Sequence, residues 1–490
     1  MKLFIFLTLI IFLFMETFVN AQVNFSNYFM DKTMRIDYFH IGDAKDEIIT
    51  VDKIYQYGIW AGSTKNLIDN FNNGKYYYKV YDVSSGELIF SKGFNSYFGE
   101  YQTSSEAANG IKRTYSESAI IPYPKNKIKF VIERRKQDNE LEKFFETEID
   151  PESIDVIREL ILDKSIKVYK EVISGDSHTK VDVVILSEGY TKNEEAKFKS
   201  DLKRYTKIVF SQEPYKSYKN NFNIWGVFKA SEESGTDEPR AGIYKNTVLN
   251  STFNALGSER YLLTEDNKAM RDMAAHVPYD AIYIMVNHKR YGGGGIYNFF
   301  CTFISDNQWS SYIFLHEFGH SFAGLADEYY TSDVAYNDFY PKGIEPVEPN
   351  ITALLNPPKV KWENLITSGI QIPTPWRKAE YDSVDLKWQA ERRELNNKIT
   401  ELKKNKSLQE QIKKAEEEYN QKDKMHADWV DSYLSKSKYA GKVGAFEGAG
   451  YASKGLYRPM LDCIMFSKGA KPFCKVCEEA IIKVIKFYSE

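Results

Sequence analysis

Hydrophobic and polar positions divide the chain into stretches with different periods. From residue 22 to about residue 160 the apolar residues fall in short strand-like runs: Lys75-Tyr76-Tyr77-Tyr78-Lys79-Val80-Tyr81, Glu87-Leu88-Ile89-Phe90 and Lys127-Ile128-Lys129-Phe130-Val131-Ile132. Asn72-Asn73-Gly74 and Ser84-Ser85-Gly86 separate them as turns. Short β-rich runs bounded by turn residues predict antiparallel strands. Residues 22–160 are therefore expected to form an antiparallel β-sandwich-like domain, and they hold no cysteine, no histidine pair and no motif. A boundary is expected between Asp150 and His178, in a stretch ending Ser174-Gly175-Asp176-Ser177-His178.

Beyond it the period changes. Val181 to Leu186 is a continuous apolar strand, Asn193 to Val209 has helical spacing, and Asn223 to Phe228 is strand. Thr264 to Ala275 reads as helix and Asp280 to Asn287 as a buried strand. Four glycines, Gly292 to Gly295, precede a strand-like Ile296–Ile304, and a helix follows from about Ser311. Strands alternating with helices argue for an α/β layer over residues 170–490.

Residues 382–426 depart from this pattern, because about half of Asp382–Lys424 is charged. Trp388, Leu395, Ile399 and Leu402 keep heptad-like spacing, and Leu408, Ile412, Ala415 and Tyr419 repeat it after Asn405-Lys406. Ser407-Leu408-Gln409-Glu410 reads as a capping box opening the second helix. The segment is expected to be an antiparallel helical hairpin inserted into the α/β domain, its mixed charges facing solvent.

At the N-terminus, Lys2, the apolar run Leu3–Phe14 and the small residues ending at Ala21 predict a cleaved signal peptide over residues 1–21. The run is shorter than the ~20 residues a membrane span needs. The mature chain is expected to start at Gln22, to be secreted or periplasmic, and to have no segment inserted in a membrane. A hydrophobic content of 43% suits a globular protein, and a net charge of −3 offers no concentrated basic face for nucleic acid. Oligomeric state is not legible. In an exported protein the four cysteines, Cys301, Cys463, Cys474 and Cys477, favour disulfides, of unreadable pairing. Four buried thiols, or a zinc knuckle using Cys474 and Cys477, are the alternatives.

The chemistry concentrates in His316-Glu317-Phe318-Gly319-His320. On a helix, histidines four apart share one face at ~5–6 Å between Cβ atoms, close enough to ligate one metal. Two neutral imidazoles suit zinc, whose catalytic sites keep three protein ligands and an open position. Glu317 lies beside the pair, placed to take a proton from a zinc-bound water and pass it to the leaving amine. With seven histidines in 490 residues, such a motif arises by chance in roughly one chain in a hundred. Gly324 is a natural C-terminal stop for the helix. Metzincin peptidases continue H-E-x-x-H-x-x-G-x-x-H; here one extra residue precedes Gly324, and Asp327 stands three residues after it. Asp327 is the expected third ligand, with Glu328 the alternative.

The segment His316 to Tyr329 resembles the signature of the igalysin, or immunoglobulin A peptidase, family. The resemblance extends to Gly292–Cys301, to Tyr457-Arg458-Pro459 through Phe473-Cys474-Lys475-Val476-Cys477, and to the region around Met34-Arg35-Ile36-Asp37-Tyr38. It implies a metzincin-like catalytic domain, zinc and endopeptidase activity on protein or peptide substrates; immunoglobulin-like proteins are among the extracellular candidates. Cys463-Ile464-Met465 resembles the metzincin methionine turn, with Met460 the competing methionine. Strand Ile296–Ile304 is a candidate rim for an extended peptide, and the glycines before it allow close backbone approach or form a plain loop. Calcium is a secondary cofactor candidate through Asp333 and Asp338. The rival function is an adhesin or glycan-binding surface protein with a vestigial zinc centre, which an intact Glu317 disfavours.

Overall fold

The computed structural model describes residues 23–159, 161–331, 340–357 and 359–490. The signal-peptide segment and both calcium candidates, Asp333 and Asp338, lie outside the described residues.

The N-terminal region is a sandwich of two four-stranded sheets. One contains β1 (Phe29–Gly42), β2 (Glu47–Tyr57), β5 (Arg113–Pro124) and the short β8 (Val156–Ile157); the other contains β3 (Tyr76–Asp82), β4 (Leu88–Phe94), β6 (Ile128–Arg135) and β7 (Leu141–Ile149). Pairing is antiparallel except where β8 joins β2. Met34, Ile36 and Tyr38 from one sheet and Tyr76, Val80, Phe130 and Ile132 from the other form the filling, because alternate residues of each strand face inward.

The second region is built on a six-stranded mixed sheet in the order β13 (Gly293–Ile296), β14 (Phe300–Ile304), β12 (Ala281–Val286), β10 (Val181–Glu188), β11 (Phe222–Phe228), β9 (Lys167–Val172). The four inner strands run parallel and the two edges antiparallel. All eight residues of β10 are buried, as expected for a central strand covered on both faces. The predicted strand Ile296–Ile304 is instead a hairpin, in which the glycines themselves form edge strand β13. These glycines are not a plain loop. A Cβ on Gly295 would lie 2.4 Å from the Glu317 carbonyl oxygen, and one on Gly293 would lie 2.6 Å from Ile313. Their missing side chains let the helix Ser310–Ala323 settle directly onto the sheet edge.

The two regions share a core. Tyr55, Tyr57, Tyr97, Phe98 and Tyr115 of the sandwich join the cluster that includes Val184, Met270 and Phe303. Arg35 pairs with Asp272 at 2.8 Å, and the Tyr57 and Tyr279 hydroxyls meet at 3.0 Å.

The hairpin forms as expected, from helices Lys378–Lys404 and Gln409–Ser435. At 27 residues each they are about 40 Å long. Two expectations fail here. Leu408 is the N-cap of the second helix and no side chain caps it, so Ser407 builds no capping box. Nor is the hairpin a detached, solvated arm. Tyr381, Ala427, Val430 and Leu434 at its base enter the main core, and only its outer part keeps a separate cluster of Trp388, Leu395 and Tyr419. Asp423 accepts from the Trp309 indole at 2.6 Å, directly at the start of the histidine helix, and pairs with Lys468 at 2.9 Å. Charged side chains that the sequence pattern assigns to solvent are thus used against the domain.

Candidate metal centre

The histidine helix Ser310–Ala323 runs beneath a cleft of about 130 Å³. It ends at Gly324, whose φ of 58° is left-handed; Gly324 N–H bonds the His320 carbonyl at 3.0 Å and Leu325 N–H reaches back to the Gly319 carbonyl at 3.1 Å, closing a left-handed C-terminal turn. That reversal returns the chain alongside the helix and brings Asp327 to the histidines. His316 Nε2 and His320 Nε2 lie 3.1 Å apart, and Asp327 Oδ1 is 3.0 Å from the first and 3.3 Å from the second.

Around a tetrahedral zinc with bonds of ~2.0–2.2 Å, ligand atoms stand about 3.3 Å apart. The three donors fit that spacing. Asp327 Oδ1 is buried and makes no other hydrogen bond, so its free lone pairs aim where the ion would sit. Each imidazole spends its other nitrogen on a backbone carbonyl: His316 Nδ1 on Ile464 at 3.0 Å, His320 Nδ1 on Leu325 at 2.6 Å. Those bonds fix the tautomers with Nε2 free to ligate. Burial disfavours charge on His320, yet Asp327 beside it raises the imidazole pKa to about 9. Burial alone would raise Asp327, but His320 and His316 pull its carboxyl well below the usual range.

Glu317 lines the same cleft, together with Arg260, Tyr291, Tyr312, Tyr329 and Tyr451. Burial pushes its carboxyl upward, against the pull of the two histidines. Glu328, the alternative third ligand, points away: its Oε1 accepts from Asn350 at 3.1 Å and faces Cys477 Sγ at 3.3 Å. Met465 lies under the helix, where a Cβ on Gly319 would come within 2.9 Å of its sulfur. It is fully buried there, whereas Met460 is only partly buried. The expected disulfides are absent: all four cysteines are free and buried. Cys301 sits in the sheet, and the other three gather near Glu328.

Sequence reasoning missed two supports. Tyr451 donates its hydroxyl to Asp327 Oδ2, from a turn where Gly450 and Tyr451 both take positive φ (54° and 63°). This is the backbone of a type I′ turn, and a tyrosine there is strained. Asn350 pins the segment that carries Asp327 by bonding both the N–H and the carbonyl of Ala326, at 2.8 and 2.9 Å. The sandwich also reaches the site: Asn73 donates to the Gly324 carbonyl at 3.2 Å, and Asn73, Asn95 and Glu100 line the cleft.

Comparison with individually curated proteins gave no match. Against protein families, residues 171–485 match the model described as IgA Peptidase M64, and residues 24–146 match the Peptidase M64 N-terminus. The matched segments take in most of the sandwich and of the mixed sheet, the histidine helix and the cysteine-bearing tail. The chain therefore belongs to the IgA peptidase M64 family and is a peptidase.

Proposed function

We propose that the protein is a secreted zinc-dependent endopeptidase, with His316, His320 and Asp327 as metal ligands and Glu317 as general base. The observation that carries this reading is the convergence of three donor atoms, 3.0–3.3 Å apart, beside a carboxylate in an open cleft. Zinc in such a set supplies a Lewis acid that lowers the pKa of water to ~7 and polarises a carbonyl.

The chain's own residues do the rest. Ile464 and Leu325 carbonyls hold the imidazoles in register, and Tyr451 fixes Asp327. Glu317, whose carboxyl is pushed upward by burial, is placed to accept a proton from the attacking water and return it to the leaving amine nitrogen. Gly293 and Gly295 form part of the cleft wall at the sheet edge, where an extended peptide would lie beside β13. The apolar run Leu3–Phe14 supports secretion, and with it extracellular protein substrates.

The test is metal analysis of the purified full chain together with a peptide-library cleavage profile. Bound zinc and internal cleavages are expected. Glu317→Gln should keep its zinc and lose turnover by roughly a thousandfold. A variant retaining more than a tenth of wild-type turnover would remove Glu317 from the reaction, and trimming from chain ends alone would overturn the endopeptidase assignment.

A further inference from the structure

A second cluster of metal-ligating side chains lies on the far side of the Asp327–Glu328 segment. The carboxylate of Glu328 and the thiols of Cys463, Cys474 and Cys477 each bring one donor atom within 4.8 Å of all the others. Cys463 Sγ stands 3.9 Å from Cys477 Sγ; Glu328 Oε1 is 3.3 Å from Cys477 Sγ and 3.7 Å from Cys474 Sγ. All four residues are at most 2% exposed. Around a tetrahedral zinc with Zn–S near 2.3 Å, sulfurs stand about 3.8 Å apart and a sulfur–oxygen pair about 3.5 Å apart. The three separations of 3.9, 3.3 and 3.7 Å match this geometry, and the remaining pairs lie within 4.8 Å.

Two further observations favour an ion over three ordinary core thiols. Backbone N–H groups are aimed at the sulfurs: Cys474 and Met465 donate to Cys463 Sγ at 3.1 and 3.4 Å, and Cys477 donates to Cys474 Sγ at 3.4 Å. Such bonds stabilise thiolate, the form that ligates metal. Glu328 is fully buried against these sulfurs, and while its Oε1 is shared by Asn350 and Cys477 its Oε2 has no hydrogen-bond partner, so the carboxylate is not fully satisfied by the surrounding protein. Three cysteines also cannot all pair with one another, so a disulfide would strand a thiol beside a buried carboxylate.

We infer that Cys463, Cys474, Cys477 and Glu328 bind a structural zinc ion. Soft thiolates with one carboxylate in a closed tetrahedral set select zinc, and binding releases the thiol protons to solvent. The ion would join three segments: the turn carrying Asp327, the Cys463–Met465 turn under the histidine helix, and the first turn of the C-terminal helix Lys475–Ser489, whose N-cap is Cys474. Glu328 N–H already bonds the Met465 carbonyl at 2.9 Å, so the site braces the scaffold of the first donor set from behind.

The test uses the full chain purified without chelator. The double variant His316→Ala/His320→Ala, which disables the first set, should retain about one zinc per chain. X-ray absorption should place sulfur neighbours at about 2.3 Å from it. Wild type should carry one zinc more. Unfolding wild type in chelator should release four titratable thiols. Because the double variant keeps every cysteine, this arm reads the second site whether or not the first binds zinc. Absence of zinc from that variant, residual zinc with only nitrogen and oxygen neighbours, or two thiols instead of four would overturn the inference. Two thiols would identify a disulfide with one stranded cysteine.

Discussion

Two buried histidine–carboxylate clusters, one in each region, use the same residue types to opposite ends. In the sandwich, His40 is enclosed by two carboxylates: Nδ1 meets Glu117 at 3.0 Å and Nε2 meets Glu47 at 2.7 Å. Glu47 is shared further with Arg134 and the Tyr76 hydroxyl. Both ring nitrogens are answered by carboxylates within the protein. Beneath the cleft, His316 and His320 give Nδ1 to carbonyls and turn both Nε2 atoms toward one carboxylate oxygen that has no other hydrogen bond. The first arrangement is complete as a charge network, and the second leaves three donor atoms converging on one point. Composition cannot distinguish the two; the destination of Nε2 does.

The comparison can be broken at either cluster. The largest expected effect is from Asp327→Ala, which should abolish zinc binding at the histidines while leaving the fold, read by circular dichroism, intact. Full zinc occupancy there in the variant would reassign the third ligand. His40→Leu should do the reverse. Removing one partner of a buried ion pair costs about 3–5 kcal/mol, so denaturant midpoints should fall while zinc content holds; loss of zinc would mean that the clusters are coupled.

Tyr451→Phe removes the hydroxyl that orients Asp327 and should weaken zinc affinity by about 10–100-fold, measured by competition with a chelator. Unchanged affinity would make the strained turn incidental to the ligand. The smallest effect separates the clusters by the sign of their pH response. His40 has its pKa raised: burial opposes its charge, but Glu117 and Glu47 more than compensate. Its contribution to stability is therefore full below about pH 6.5, where an unfolded histidine is also charged, and is lost as pH rises through the raised value. His320, at about 9 before an ion binds, must lose a proton to ligate. Zinc affinity should accordingly fall about tenfold per pH unit on acidification below 9. Titration calorimetry in buffers of different ionisation enthalpy would detect that proton, and parallel slopes at the two clusters would break the distinction.

What the sequence disclosed follows the range of the interactions. His316, Glu317 and His320 are fixed by one helical turn, and Gly324 and Asp327 by the next few residues, so local spacing carried them. The sandwich strands and the hydrophobic runs of the mixed sheet were legible for the same reason. Tyr451 acts on Asp327 across 124 positions, and Cys477 meets Glu328 across 149. No periodicity encodes such pairs. The cysteines misled because their count was read through the compartment, whereas their placement around Glu328 is a property of the folded chain. The hairpin's charges misled in the same way, since pattern alone cannot tell a charge facing water from Asp423 facing the Trp309 indole.

The bond from Asn73 to the Gly324 carbonyl has a consequence for how such a peptidase can be handed down or rebuilt. The helix end that brings Asp327 to the histidines is finished by a residue of the other module, and Asn95 N–H is bonded to the Tyr297 carbonyl at 2.9 Å beside it. Cutting the chain between modules would leave the mouth of the cleft with one wall and an uncapped carbonyl. The unit that carries the whole cleft is the pair, since Asn73, Asn95 and Glu100 of the first module line it beside the residues of the second.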